Sequence, residues 1–168
     1  MKKLIIAVLF CNSCFAQKIT ENITDEFTGA NIKSTSWEYI YVKLTNTAKV
    51  RLRKVDDSYF LELKYNSLGM GLLGSGENNP LMLKTSDSIY KIYPKVFRSS
   101  CVGCGATGFG GSAAIGFAQE YILNKSDILR LLNSPVSKMR IYFTDGFEEA
   151  EIDNNSALSL IKMMKLIF

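Results

Sequence analysis

The chain predicts an α+β fold built mainly of antiparallel β-sheet, and three observations carry that expectation. Short runs alternate apolar and polar residues with the period of two of a half-buried strand. Turn-forming pairs such as Asp145-Gly146 separate those runs. Helical spacing of apolar residues is confined to two late segments, a short helix near residues 126–133 and a C-terminal amphipathic helix.

The first element is read as a secretory signal peptide, residues 1–16, ahead of a single globular α+β domain at 17–168. Lys2 and Lys3 form a positive n-region, residues 4–10 are an unbroken apolar run, and Ala16 is the small residue before the cleavage point. The run falls far short of the roughly 20 apolar residues that span a bilayer. A lipoprotein reading of Cys11 or Cys14 is the weaker alternative, because Phe10 is bulky before Cys11 and Cys11 stands where Cys14 wants leucine. The expected location is the periplasm or the extracellular space. Cleavage takes 16 of the 168 residues and leaves 152, the size of one domain. Lys2 and Lys3 leave with the leader, so 20 Lys+Arg become 18 against 16 Asp+Glu, and a net +4 becomes +2. That balance gives no push toward nucleic acid. No second apolar segment reaches transmembrane length.

Residues 20–36 are polar and read as irregular. Residues 37–44, Trp-Glu-Tyr-Ile-Tyr-Val-Lys-Leu, are aromatic and β-branched and read as a strand. Residues 48–65 read as a hairpin in which Val50 and Leu52 alternate with Lys49, Arg51 and Arg53. A four-residue loop over 56–59 would set Leu52 opposite Leu63, Val50 opposite Tyr65 and Arg53 opposite Glu62. Residues 81–84 and 89–93 form a second hairpin around Ser86-Asp87-Ser88, and 113–123 is a further strand. Asn124, Ser126 and Asp127 offer helix-cap chemistry before Ile128, Leu129, Leu131 and Leu132, with Pro135 as a stop.

Residues 136–153 read as a hairpin turning on Asp145-Gly146 in type I′ geometry. That turn sets Tyr142 opposite Glu149, Arg140 opposite Glu151, Lys138 opposite Asp153, and Met139 opposite Ile152. Asn154-Asn155-Ser156 reads as the N-cap of the last helix. Ala157, Leu160, Ile161, Met164 and Ile167 form its apolar stripe, read as packing against the sheet.

Cys101-Val-Gly-Cys104 is the most chemically suggestive motif. Zinc needs four ligands, and the chain beyond residue 16 offers two cysteines and no histidine. A thioredoxin-like centre needs a helix start after the first cysteine, and the glycines that follow oppose one. A structural disulfide fits an exported protein. It closes a loop so short that its stabilisation is on the order of 2 kcal/mol at most. A free thiol pair suits only a reducing niche. Cys101 and Cys104 are therefore taken as a disulfide candidate, with thiol–disulfide redox chemistry as the alternative.

Other motifs reduce to coincidence or surface. Gly103, Gly105 and Gly108 spell G-x-G-x-x-G without the strand before and helix after that would hold a pyrophosphate. The glycines of 69–76 read as a flexible loop. The absence of histidine excludes imidazole-based triads, and Ser159-Leu-Ile-Lys162 has no companion for a serine–lysine nucleophile. Asp145, Glu148, Glu149, Glu151 and Asp153 lack calcium-loop spacing and read as a solvated sheet face. The basic row Lys49, Arg51, Arg53 and Lys54 also reads as an ordinary outer face, though one able to bind a polyanion. No catalytic, cofactor-binding or metal-ligating residue is assigned.

Several stretches together resemble small exported proteins of the Bacteroidota. They are Asp25-Glu-Phe-Thr-Gly29, Ser34-Thr-Ser-Trp37-Glu, Arg51-Leu-Arg53-Lys54 leading into Tyr59-Phe-Leu-Glu-Leu, Ser100-Cys101-Val-Gly-Cys104-Gly105, and Arg140-Ile-Tyr-Phe-Thr-Asp-Gly146. The Phe15-Ala16-Gln17 exit is similar to leaders of that group. No activity attaches to the group, so the resemblance carries over no functional residue. The expectation is an exported, non-enzymatic binding or structural domain of the cell envelope, with an envelope protein or a polyanion as partner.

Overall fold

The computed structural model describes residues 17–67, 74–102, 104 and 115–168. The signal peptide assigned to 1–16, the glycines of 69–71, Gly103 and the glycines of 105–111 lie outside the described residues. Along the chain come β1 (Ile19–Thr24), β2 (Asn31–Thr35), β3 (Glu38–Val42), β4 (Asn46–Val55), β5 (Ser58–Ser67), β6 (Gly74–Ser75), β7 (Leu81–Lys84) and β8 (Ile89–Ile92). Then follow β9 (Arg98–Ser99), β10 (Cys101–Val102), β11 (Ile115–Leu123), α1 (Lys125–Leu131), β12 (Lys138–Phe143), β13 (Gly146–Glu151) and α2 (Asn154–Ile167). The strands pair antiparallel throughout, so the α+β, mainly antiparallel expectation holds.

A seven-stranded sheet runs β1-β2-β4-β5-β11-β10, with β3 also on β4. A four-stranded sheet runs β13-β12-β7-β8, and β6 pairs with β9. The alternation read in β4 and β5 turns Ala48, Val50, Leu52, Leu61, Leu63 and Tyr65 inward. They join Leu81, Leu83, Met139, Ile141 and Phe143 of the smaller sheet in one core. The rings of Tyr65, Phe117 and Phe143 meet there at centroid distances of 5.4 to 5.8 Å. Burial pushes the Tyr65 hydroxyl up to about 12, with the Glu148 charge adding to the shift.

Strands β2 and β3 share one edge of β4 in succession. Ser34 faces Arg53 and Glu38 faces Val50, and between them the chain steps sideways. The step leaves Leu52 N–H without a strand partner on that edge. Thr35 fills the gap: its buried Oγ1 accepts from Leu52 N at 3.0 Å and donates to Ser36 O at 3.2 Å. The opposite edge of the β4–β5–β11 unit is interrupted too. Tyr93, Pro94 and Lys95 pair along 120–122 of β11, and Cys101 and Val102 pair with Gly116 and Ile115. Between those contacts the chain bulges away, where the Gln119 amide donates to Val96 O at 2.7 Å.

The structure corrects four local expectations. Residues 20–36 are not irregular, for they form the β1–β2 hairpin. β1 is an edge strand with little buried face, so it lacks the apolar alternation that betrays a strand. The 48–65 hairpin turns on Asp56-Asp57 alone, which pairs Leu52 with Leu61, Val50 with Leu63 and Arg51 with Glu62. Asp56 takes φ +50° and is clamped to Asn31 by two 2.9 Å bonds, Asp56 N to Asn31 O and Asn31 N to Asp56 Oδ1. The 136–153 hairpin turns on Thr144-Asp145, not Asp145-Gly146, so Arg140 meets Glu149, Lys138 meets Glu151 and Met139 meets Ala150. Gly146 follows the turn at φ +146°, a backbone angle that favours glycine.

Helix α2 is capped by Asp153, not by Asn154-Asn155-Ser156. The Asp153 carboxylate accepts from Asn155 N at 2.8 Å and Ser156 N at 3.0 Å. α2 packs on β2, β3 and β4. Its fully buried residues are Ala157, Leu160, Met163, Met164 and Ile167, with Ile161 on the half-buried flank. The short helix forms close to its expected place, with Asn124 in the cap position.

Candidate functional site

The pleat that buries one face of β4, β5 and β11 turns the other outward, and the register decides which outer residues meet. Lys49, Lys64 and Ala118 form one cross-strand row, and Arg51, Glu62 and Glu120 form the next. The step at 35–37 brings Trp37 over this face: its ring lies 4.9 Å from the Arg51 guanidinium carbon and 4.4 Å from Lys64 Nζ. Beside it, Lys49 Nζ stands 4.0 Å from the Tyr39 ring. The bulge on the opposite edge contributes Arg98. These residues enclose a concavity of about 370 Å³, lined by Trp37, Arg51, Arg53, Glu62, Lys64, Arg98 and Glu120 among others.

The floor is an ion-pair network. Arg51 Nε reaches Glu62 Oε2 at 2.6 Å, and Arg53 Nη1 lies 3.5 Å from Glu62 and 3.7 Å from Glu120. Lys95 closes on Glu120 at 3.4 Å. Each carboxylate therefore serves two cations. Lys49, Lys64 and Arg98 have no carboxylate within ion-pair distance among the described residues. The surface is pre-organised and carries surplus positive charge, a combination suited to holding an anion.

The structure thus brings Lys49, Arg51 and Arg53 onto one face, as read from the alternation. Lys54 lies away from the concavity, with its ammonium 5.1 Å from the Tyr59 ring. The sequence reading missed Trp37, Lys64, Glu120 and Arg98 as members of the site. Alternation in β5 put Lys64 outward and was the available signal for it. Nothing local marked Arg98, because long-range pairing alone brings it to this face.

Cys101 and Cys104 stand at disulfide distance, their Cα atoms 5.1 Å apart, with Cys104 N donating to Cys101 O at 3.2 Å. Cys101 is exposed on strand β10, three residues beyond Arg98. The turn rests on Gly116, where an added Cβ would collide with the carbonyl oxygens of Tyr65 and Cys104. Only glycine admits that approach.

The acidic cluster is distributed over separate tasks. Glu149 binds Lys138 at 2.9 Å and Arg140 at 2.5 Å, Glu151 binds Lys138 at 2.7 Å, and Glu148 binds Lys43 at 2.5 Å. Hydrogen bonds from Lys138 and Arg140 hold the Glu149 carboxyl below its usual range. Asp153 caps α2. Among the described residues no group of three or more His, Cys, Asp or Glu side chains is placed to hold a metal ion. Ser159 Oγ accepts from the Gln17 amide at 2.9 Å. Among the described residues no helix is long and apolar enough to cross a membrane.

No protein-family model, curated protein or solved structure matches the chain.

Proposed function

We propose that the chain is an exported, non-enzymatic binding domain of the cell envelope, and that the concave face between Trp37 and Arg98 holds an anionic ligand. The observation that carries this reading is the pair Lys64 and Arg98, which line one concavity and have no carboxylate partner among the described residues. The Glu62 and Glu120 network beneath them holds Arg51 and Arg53 in place. Export is supported by the leader-like residues 1–16 and accords with a disulfide at Cys101 and Cys104.

Titrating the purified protein with anionic oligomers at several salt concentrations tests the binding reading. Affinity should fall as salt rises, and Lys64→Ala with Arg98→Ala should flatten that dependence. Salt-insensitive or absent binding would remove it. Export is tested by cell fractionation and N-terminal sequencing, which should find Gln17 first in an envelope or secreted fraction.

The exposure of Cys101 favours one alternative, a thiol–disulfide protein that uses Cys101 and Cys104. A reduction potential near those of known thiol oxidoreductases, with rapid alkylation of reduced Cys101, would support it. A strongly reducing disulfide would end it.

A further inference from the structure

We infer that the ligand of this face is a sparsely charged acidic glycan, a chain of hydroxyl-bearing sugars with carboxylates spaced along it. The inference rests on the groove being the ligand site and asks which anion its chemistry admits.

Charge is the first discriminator. Glu62 and Glu120 sit in the floor between the cations, with their oxygens directed at Arg51, Arg53 and Lys95. A densely charged chain such as polyphosphate would lay anionic groups against these carboxylates. A sugar chain presents hydroxyl donors there instead, and carboxylate oxygens accept from hydroxyls in strong, charge-assisted hydrogen bonds. The floor therefore repels closely spaced anions and accepts widely spaced ones.

Spacing points the same way. Lys64 belongs to β5, and Arg98 lies beyond the far edge of β11, in the segment that pairs there on either side of it. With β11 between them, those backbones stand at least two strand spacings apart, roughly 10 Å or more. One ligand anion at each cation leaves room between them for uncharged sugar over Ala118. Trp37 and Tyr39 flank the cationic row, and aromatic rings at a polar groove are suited to the apolar faces of sugar rings. A small free anion would engage one cation and leave the other unused.

Calorimetric titration of the full exported protein with a hexameric oligogalacturonate methyl-esterified at alternate sugars, its fully methylated ester and a linear polyphosphate of similar length tests this. The oligogalacturonate should bind, the ester should bind at least tenfold more weakly, and polyphosphate should bind at least tenfold more weakly than the oligogalacturonate. Lys64→Ala with Arg98→Ala should weaken oligogalacturonate binding at least tenfold. Glu120→Gln should raise polyphosphate affinity severalfold while leaving oligogalacturonate affinity level or lower. Thermal melts of each variant confirm that these surface changes keep the fold. If polyphosphate binds as tightly as the oligogalacturonate, and both are lost in the double variant, the glycan assignment is overturned and the groove stands. If the ester equals the acid, the glycan assignment is overturned as well. If no probe binds, or the double variant changes nothing, both the groove and the glycan readings fall.

Discussion

Replacing Thr35 by valine should destabilise the protein by about 1–3 kcal/mol, and the structure shows why so small a change is felt. Valine reproduces the shape of threonine and removes the oxygen. Thr35 is 0 % exposed, and its hydroxyl is the acceptor for Leu52 N–H where β2 gives way to β3. Leu52 is equally buried, so water cannot replace the lost acceptor. Leaving a buried donor unmet costs about 1–3 kcal/mol, and the bond to Ser36 O is lost with it. For a domain of this size that corresponds to a fall in Tm of roughly 2–12 °C. Thr35→Ser keeps the oxygen and loses one methyl, a cost of about 0.8 kcal/mol. Urea unfolding should therefore order the proteins as wild type, serine variant, valine variant, with the midpoint moving and the m-value constant. Hydrogen exchange at the Leu52 amide should accelerate most in the valine variant. A valine variant as stable as wild type, or a serine variant less stable than valine, would refute the reasoning.

Three further perturbations test other parts of the fold. Asp153→Ala should cost about 1 kcal/mol through loss of the α2 cap, measured by chemical unfolding at neutral pH. Bonds from Ser156 and Asn155 hold the Asp153 carboxyl below its ordinary 3.8, so its contribution is present above that pH and is lost as pH falls through the lowered value. Asp153→Asn should keep the cap and flatten this part of the acid limb, and an unchanged acid limb would contradict the assignment. Gly116→Ala should destabilise by roughly 1–3 kcal/mol or more, because the Cβ meets two carbonyl oxygens of the backbone; wild-type stability would show that the Cys104 turn does not rest there. Replacing Cys101 and Cys104 together by serine should cost at most about 2 kcal/mol, since the cross-link closes a loop with sequence separation 3. On the proposed binding reading, isothermal titration should show affinity for anions falling in that variant, as the turn beyond Arg98 loses its cross-link.

Much of the fold was legible from alternation alone. β4, β5, β7, β8, β11 and β12 bury the residues that the period of two assigns to them. Both long hairpins were nevertheless displaced by two residues, a displacement that leaves every side chain on its correct face. The apolar rows could not report it. Charge pairing could not either: the displaced register sets Arg53 opposite Glu62 and Arg140 opposite Glu151, matches as good as the observed Arg51 with Glu62 and Arg140 with Glu149. Asp56 was hard to read as a turn residue because its positive φ is secured by Asn31, 25 residues earlier. The same limit applies to the groove. Lys49, Arg51 and Arg53 follow from local pattern, whereas Trp37 and Arg98 reach the face through chain steps that only distant pairing partners define.

Those two steps divide the groove into parts that answer differently to sequence change. Each floor residue belongs to a ladder, so altering Glu62 disturbs Arg51 and Arg53 together. The walls are short excursions from strand edges: 36–37 steps between β2 and β3, and 96–100 leaves the edge of β11 to pair with β6 through Arg98 and Ser99, whose side chains stay exposed. If the face binds an anion as proposed, changing the exposed Arg98 side chain would alter which ligand is admitted while the sheet beneath stays intact. On that reading the groove has a rigid laddered platform and two walls that can be altered separately. Substituting Arg98 alone would then be the direct way to change what the groove holds without redesigning its core.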